Sequence, residues 1–335
     1  MKEILNILFE HKTLPKETAR RILVGIGKGE YNPGSIASFI SVFLMRGISV
    51  DELSGFREAL LELCLPVHFD ENDTIDIVGT GGDGKNTFNI STLSCFAAAG
   101  AGLRVTKHGN YGVSSASGSS NVLERIGVKL THDTALLNRQ LNEAGICFMH
   151  APLFHPAMKT VAPVRKELGV RTFFNLLGPL VNPARPKYML LGTYNAEVMR
   201  LYHYLLQETD HRYIIVHSYD GYDEIALTGS FKATSRDEER IWDPVRLGLE
   251  RVIGEELSGG SNAEESARLF LHILSGKGTR AQNDVVAANA GMAIHCVQPQ
   301  RPLRDCVLEA REALIAGKAM NVYKKLISIT DEYTR

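Results

Sequence analysis

Two glycine-rich loops hold the residues best suited to chemistry. In the first, the apolar run Thr74-Ile75-Asp76-Ile77-Val78 leads into Gly79-Thr80-Gly81-Gly82-Asp83-Gly84-Lys85-Asn86-Thr87-Phe88-Asn89-Ile90-Ser91-Thr92, and an alanine-rich helix follows. A strand, a glycine loop and a helix start gather unpaired backbone N–H groups and a positive dipole end at one place, which is a phosphate cradle. A glycine turn without a ligand is the plainer alternative. No Gly-Lys-Ser/Thr follows at the spacing of a Walker loop, and the glycines do not form a regular dinucleotide turn. The second loop, Lys107-His108-Gly109-Asn110-Tyr111-Gly112-Val113-Ser114-Ser115, follows the next apolar run, and Ser117-Gly118-Ser119-Ser120 opens the next helix. Lysine, amide and hydroxyl donors there face the same sheet end, where open α/β folds bind ligands. Nine of the chain's 30 glycines lie between Gly79 and Gly118, so the backbone in this stretch must turn or approach where a side chain would obstruct it.

A third feature is the pair Asp223-Glu224, between Gly221-Tyr222 and Ile225-Ala226-Leu227. Adjacent carboxylates repel unless a cation lies between them, and hard oxygen ligands suit Mg²⁺ bridged to phosphates. Taken alone, such a pair in a turn is more often simply solvated. His150, His155, Lys159 and Arg165 fall along a segment whose default place is a helix surface, although Arg165 has the geometry to hold a carboxylate bidentately. His217 and His272 receive no role.

The elements that must position these residues read as two units. Up to about residue 70 the pattern is helical: Ile4, Leu5, Ile7 and Leu8 share a face, Asn32-Pro33-Gly34 breaks the chain, and Ser49-Val50-Asp51-Glu52 matches a capping box. From Thr74 short apolar runs alternate with helical segments, as in a parallel sheet with crossover helices. Strands are expected at 74–78, 104–107, 146–150, 188–193, 213–217 and 225–228. Helices are expected at 91–101, 119–126, 133–144, 156–168, 196–207, 263–275, 284–296 and 306–316. The charged stretch from Thr234 to Arg240 reads as a solvated connection.

At 335 residues, with 44% hydrophobic and 22% charged residues, the chain is long enough for a sizeable core and unlike a disordered one. Its 37 basic and 38 acidic residues leave a net charge of −1, which supplies no field for holding nucleic acid or an acidic membrane. Any bound anion needs a local site. Five scattered cysteines without a Cys-x-x-Cys pair argue against a disulfide framework or structural zinc, and no run is apolar enough for a signal peptide or a membrane span. A cytoplasmic location is expected.

Taken together, the two loops, His155-Pro156-Ala157-Met158-Lys159, Val161-Ala162-Pro163-Val164-Arg165, Asn175-Leu176-Leu177-Gly178-Pro179-Leu180 and Asp223-Glu224 resemble the anthranilate phosphoribosyltransferase family, in that family's order and over most of the chain. The resemblance implies transfer of a phosphoribosyl group from 5-phosphoribosyl 1-diphosphate (PRPP) to the amine of anthranilate with Mg²⁺, in tryptophan biosynthesis. It implies an α/β fold in which a small all-helical domain (1–69 plus about 162–187) joins a larger α/β domain (70–161 and 188–335) with a central, mostly parallel sheet. A homodimer is also implied. By resemblance, Gly79, Gly82, Asp83, Thr87, Asn89, Ile90, Ser91, Thr92, Lys107, His108, Gly109, Asn110, Tyr111, Gly112, Val113, Ser114, Ser115 and Ser119 bind PRPP. Gly79, Asn110 and Arg165 meet anthranilate, and Ser91, Asp223 and Glu224 hold the metal. Lys107, Asp223 and Glu224 support the transition state, and no residue serves as an acid–base catalyst.

Three positions depart from the family pattern: Tyr111 where an arginine is usual, Ala116 where a lysine is frequent, and Asn121 where an aspartate is common. The missing cations imply weaker PRPP binding or a greater dependence on Mg²⁺ and Lys107, with the Tyr111 hydroxyl as a compensating donor. Two alternatives share the scaffold. A pyrimidine nucleoside phosphorylase is usually longer, and its base-reading Arg/Ser/Lys pattern is not found here. A nucleic-acid-binding relative calls for a basic chain with degraded motifs.

Overall fold

The computed structural model describes residues 1–69, 73–112 and 118–333. Four helices come first: α1 (Lys2–Phe9), α2 (Lys16–Gly27), α3 (Pro33–Arg46) and α4 (Val50–Leu63). Pro33 occupies the first turn of α3, where its missing N–H is no loss, and Asn32 Oδ1 caps that helix by accepting from Ser35 N–H at 2.9 Å. The expected capping box opens α4: Ser49 Oγ accepts from Glu52 N–H at 3.2 Å and Glu52 Oε2 accepts from Ser49 N–H at 2.9 Å. Glu52 is fully buried, and bonds from Arg46 at 2.7 Å and from Leu14 N–H at 2.9 Å offset its desolvation. Phe39, Phe43 and Phe56 form the aromatic centre of the bundle.

The rest of the chain builds one sheet and its covering helices. In order they are β1 (Ile75–Gly79), α5 (Ile90–Gly100), β2 (Val105–Gly109), α6 (Ser119–Arg125), α7 (Thr134–Ala144), β3 (Ile146–His150), α8 (Ala151–Phe154), α9 (Ala157–Leu168) and α10 (Phe174–Leu177). Then come β4 (Tyr188–Gly192), α11 (Ala196–Gln207), β5 (Arg212–Ser218), β6 (Phe231–Ser235), β7 (Glu239–Trp242), α12 (Ala263–Leu274), α13 (Arg280–Val297), α14 (Leu303–Ile315) and α15 (Lys318–Tyr333). The strand order is β3-β2-β1-β4-β5-β6-β7, parallel from β3 to β5 and antiparallel beyond it.

Side chains alternate across the sheet, as a two-residue period requires. Tyr188, Leu190, Ile214 and Val216 enter a core shared with α5 and with α12 to α15. Met189, Leu191, Tyr213 and Ile215 enter a second core, shared with α11 and the N-terminal helices. Val161, Val164, Phe173, Phe174 and Leu177, from between β3 and β4, pack in this second core, with the Phe173 ring stacked on Phe56 at 4.5 Å.

The structure departs from the sequence reading at three places. The run 225–228 is not a strand. It is buried, but Asn289 bonds both the N–H and the carbonyl of Ile225 (3.0 and 2.9 Å), and Leu227 takes φ +60°, outside extended geometry. The charged stretch from Thr234 to Arg240 is the β6–β7 hairpin, and its charge suits an outer edge strand. Finally, α15 completes the first core through Leu326 and Ile329, although no helix is expected there.

Candidate active site

Parallel register places Gly79, at the end of β1, beside Gly192, at the end of β4. A Cβ on Gly79 would overlap the Asp223 carboxylate, and one on Gly192 would overlap the Asp223 carbonyl. Two missing side chains therefore let the Asp223-Glu224 turn settle onto the sheet's carboxyl edge. Asp223 Oδ2 accepts from Gly81 N–H at 2.6 Å. Glu224 Oε1 accepts from Ser91 N–H at 2.9 Å, in the first turn of α5, where the helix dipole favours an anion. The first loop is thus fastened by carboxylates at both ends.

These acids are crowded. Burial, then the charge of Asp83, pushes the Asp223 carboxyl up to about 7. Burial and the charge of Asp223 hold Glu224 well above the usual carboxylate range, and burial raises Asp83. Among the described residues no ion pair joins any of the three to a lysine or arginine. Lys85 instead lies over the Tyr222 ring at 4.6 Å. Gly82 has φ +75°, open to glycine alone without strain, and a Cβ there would meet the Arg171 guanidinium. Arg171, which the sequence reading leaves without a role, therefore brings a cation to the loop. Thr87 bridges to Ser258, Asn89 precedes α5, and the Ile90 and Thr92 side chains are buried.

In the second loop Lys107 is buried and donates to the His108 carbonyl at 3.1 Å. Beneath it Asp76, fully buried on β1, accepts from His108 N–H at 3.2 Å and from Asn182 Nδ2 at 2.8 Å. Burial pushes the Asp76 carboxyl up to about 6, against the charge of Lys107. Asp76 and Asn182 escape the sequence reading, the first inside an apolar strand and the second in a loop; an acid at an inward position of a buried strand is the available signal. Ser119 Oγ lies where a Cβ of Gly109 would be and donates to the Asn110 carbonyl at 3.2 Å. Asn121 Oδ1 accepts from Gly112 N–H and Gly118 N–H, both at 3.0 Å, and so joins the two ends of the 113–117 segment. Val113, Ser114 and Ser115 lie outside the described residues. Tyr111 donates its hydroxyl to Glu124 at 3.0 Å and sets its ring edge-on to His150, so this hydroxyl is committed within the protein and is not the compensating donor expected from the sequence.

His150 and His155 are buried, against their expected surface placement: the first ends β3 and the second packs on His108 with ring centroids 5.3 Å apart. Lys159 is exposed. Arg165, on α9, is half-buried over the Phe174 ring at 5.2 Å, and no carboxylate of the described residues pairs with it. His108 Nδ1 lies 3.0 Å from the Gly178 carbonyl, His108 Nε2 has no hydrogen-bond partner among the described residues, and the Val181 and Leu60 backbone lies close to the His155 ring.

Burial pulls His155 down to about 4 and His108 well below its ordinary value. The unfolded chain binds these protons from about pH 6.5 downward and the folded chain does not, so their contribution to stability is lost as pH falls. Asp76 acts oppositely, since its raised folded value makes stability fall as pH rises from about 4 to about 6. Between pH 6.5 and 4 the His155 contribution amounts to about 3 kcal/mol. His155→Phe is expected to lose less stability than the parent on acidification, as urea unfolding at both pH values reads; equal losses would contradict neutral burial.

Two family models match in succession: "Glycosyl transferase family, helical bundle domain" over residues 2–64 and "Glycosyl transferase family, a/b domain" over residues 71–320. An anthranilate phosphoribosyltransferase of Flavobacterium psychrophilum is 55% identical, with 97% of this chain and 98% of its own length covered. The chain belongs to the anthranilate phosphoribosyltransferase family. A second anthranilate phosphoribosyltransferase, from Cytophaga hutchinsonii, is 54% identical over 98% of this chain and 100% of its own. The crystal structure of anthranilate phosphoribosyltransferase from Thermus thermophilus superposes with a TM-score of 0.91 at 35% identity, covering 97% of this chain and 98% of that one. The Saccharomyces cerevisiae enzyme in complex with PRPP and Mg shares the fold, with a TM-score of 0.90 at 24% identity over 98% of this chain and 97% of that one. The N-terminal helical domain, the α/β domain and its mostly parallel seven-stranded sheet are those of the anthranilate phosphoribosyltransferase fold.

Proposed function

We propose that this chain transfers the phosphoribosyl group of PRPP to the amine of anthranilate, with release of diphosphate, as an enzyme of tryptophan biosynthesis. The carrying observation is the Asp223-Glu224 turn, with Asp223 buried, fastened to the first glycine loop and to the start of α5, beside the Lys107 loop on the same sheet edge. In this reading Gly79, Gly82, Asp83, Thr87, Asn89, Ile90, Ser91, Thr92, Lys107 and the 108–115 loop with Ser119 hold PRPP, while Gly79, Asn110 and Arg165 receive anthranilate.

Mg²⁺ fits these residues. Unpaired carboxyls, raised by burial and by one another, are a donor set that a hard divalent cation satisfies, and Ser91, Asp223 and Glu224 would hold it. Among the described residues no three His, Cys, Asp or Glu side chains form a ready cage, in keeping with an ion that takes the remaining ligands from substrate phosphates and water. When bound, it neutralises the charge that develops on departing diphosphate.

The chain's own residues supply the rest. N–H groups of the first loop and the Lys107 ammonium stabilise the leaving group as positive charge grows on the ribose. Arg165, with no carboxylate of the described residues to satisfy, is available to orient the anthranilate carboxylate, and Asn110 borders it. The aromatic amine is unprotonated at neutral pH, so nothing need remove a proton before attack. His108, buried and kept neutral, positions the loop through the Gly178 carbonyl.

The same reading divides the chain into a helical domain (1–69 plus about 162–187) and an α/β domain, supported by the shared packing of Phe173 with Phe56. It takes the protein as a cytoplasmic homodimer. Exposed Ile7, Phe9, Leu44 and Met45 on α1 and α3 support self-association, and no helix among the described residues is long and apolar enough to cross a membrane.

The test measures loss of anthranilate fluorescence with PRPP and Mg²⁺ beside phosphorolysis of thymidine and uridine. Transfer without phosphorolysis supports the assignment, and phosphorolysis alone refutes it. Tyr111→Arg is expected to lower the PRPP KM by a few-fold, about what one partly screened cation near a phosphate contributes. Because Glu124 would pair with the new guanidinium, the gain should grow when Glu124→Gln is added. An unchanged KM in both variants would count against a role for this position.

A further inference from the structure

The molecule holds a second cleft at the opposite end of the sheet. It has a volume of about 750 Å³ and lies among the start of β5, the β6–β7 turn, the end of α13 and the beginning of α14. The glycine loops end β1 and β2, whereas Arg212 begins β5, so the cleft is no part of the substrate site.

Its charge is lopsided. Six arginines line it against three carboxylates, in a chain whose net charge is −1. Three of the arginines are engaged: Arg236 donates to the carbonyls of Leu206, Gln207 and Thr209, Arg240 pairs with Glu238, and Arg301 pairs with Glu309. The guanidinium groups of Arg212, Arg246 and Arg304 have no hydrogen bond or ion pair among the described residues. Asp210 and Asp237 are the remaining acids. The first amides of α14 open toward the same cleft without a side-chain cap, since Pro302 stands at the N-cap. Trp242, the only tryptophan of the chain, is half-buried in the wall, with Arg240 5.1 Å from its ring.

Free guanidinium groups and a helix start recognise a phosphate, and the Trp242 indole, packed on the core with the Arg240 guanidinium lying over its ring, gives a planar wall for a base. The volume lies within the range of small-molecule pockets, roughly 300–1,000 Å³, and exceeds what orthophosphate fills. We propose that this cleft binds a nucleoside phosphate, its phosphate held by Arg246, Arg304 and Arg212 and its base against Trp242. Nothing in the transfer reaction requires the cleft, which makes it an accessory ligand site.

The experiment titrates AMP into the full-length protein in chelator-containing buffer and follows the fluorescence of Trp242. Saturable quenching is expected, weakened at least about tenfold in the Arg246→Glu/Arg304→Glu double variant, as two charge reversals at phosphate contacts imply. That variant should keep the parental kcat and KM for PRPP and anthranilate, which shows that it folds. Orthophosphate should displace AMP only at higher concentration, and adenosine should not bind. Absence of saturable quenching, or equal affinity in the double variant, overturns the proposal. Orthophosphate binding as tightly as AMP overturns the nucleoside part, and adenosine binding as tightly as AMP overturns the phosphate anchor.

Discussion

Asp223→Asn is expected to lower kcat/KM for PRPP by about a hundred- to a thousandfold at saturating Mg²⁺, the usual cost of losing one electrostatic group aimed at a developing charge. The fold should survive, because an asparagine oxygen can still accept from Gly81 N–H in place of Asp223 Oδ2. Stability should rise. Asp223 and Glu224 are both pushed up by burial and by neighbouring negative charge, so their ionised forms are disfavoured in the folded protein, and neutralising one removes part of that repulsion. Steady-state kinetics and a thermal melt without Mg²⁺ measure the two effects together. A variant of near-parental activity, or one both inactive and less stable, would show the turn to be structural.

Lys107→Met should be comparably damaging, on the order of a hundredfold in kcat/KM, through loss of the buried cation proposed to stabilise the departing diphosphate. Methionine keeps the length and the apolar stem, so the cavity stays filled. The charge is also the largest influence holding Asp76 down, and without it the Asp76 carboxyl should titrate above its present value of about 6. The double variant Lys107→Met/Asp76→Asn separates the two roles: recovered stability without recovered turnover assigns Lys107 to catalysis, and recovery of both makes it a counter-ion for Asp76.

Much of this architecture is legible in the sequence because local chemistry specifies it. The Ser49 capping box, the Asn32-Pro33-Gly34 break ahead of α3 and the apolar runs of β4 and β5 each follow from neighbouring residues. The misreadings occur where distant contacts decide. The run 225–228 has a strand's composition, yet its backbone is bonded by Asn289, 64 positions away from Ile225. The stretch from Thr234 to Arg240 has a loop's charge, yet β5 offers it an edge to extend. At the site, the glycine loops and Asp223-Glu224 are visible as motifs. The support beneath them is not: Asp76 and Asn182 act through bonds to residues 32 and 76 positions away, and Arg171 reaches Gly82 only in space. Tyr111 shows the converse limit, since its hydroxyl reads as a ligand donor until Glu124 is found beside it.

The central claim is metal-assisted transfer at the sheet edge where Asp223 and Glu224 hold the first glycine loop. Its most direct test follows anthranilate fluorescence and diphosphate release in one reaction as Mg²⁺ is varied, for the parent and for Glu224→Gln. Equal rates of anthranilate loss and diphosphate release, no reaction in chelator, saturation with Mg²⁺, and loss of that response in the variant are expected. Anthranilate consumed at an unchanged rate in chelator, or by Glu224→Gln with the parental Mg²⁺ dependence, would contradict it.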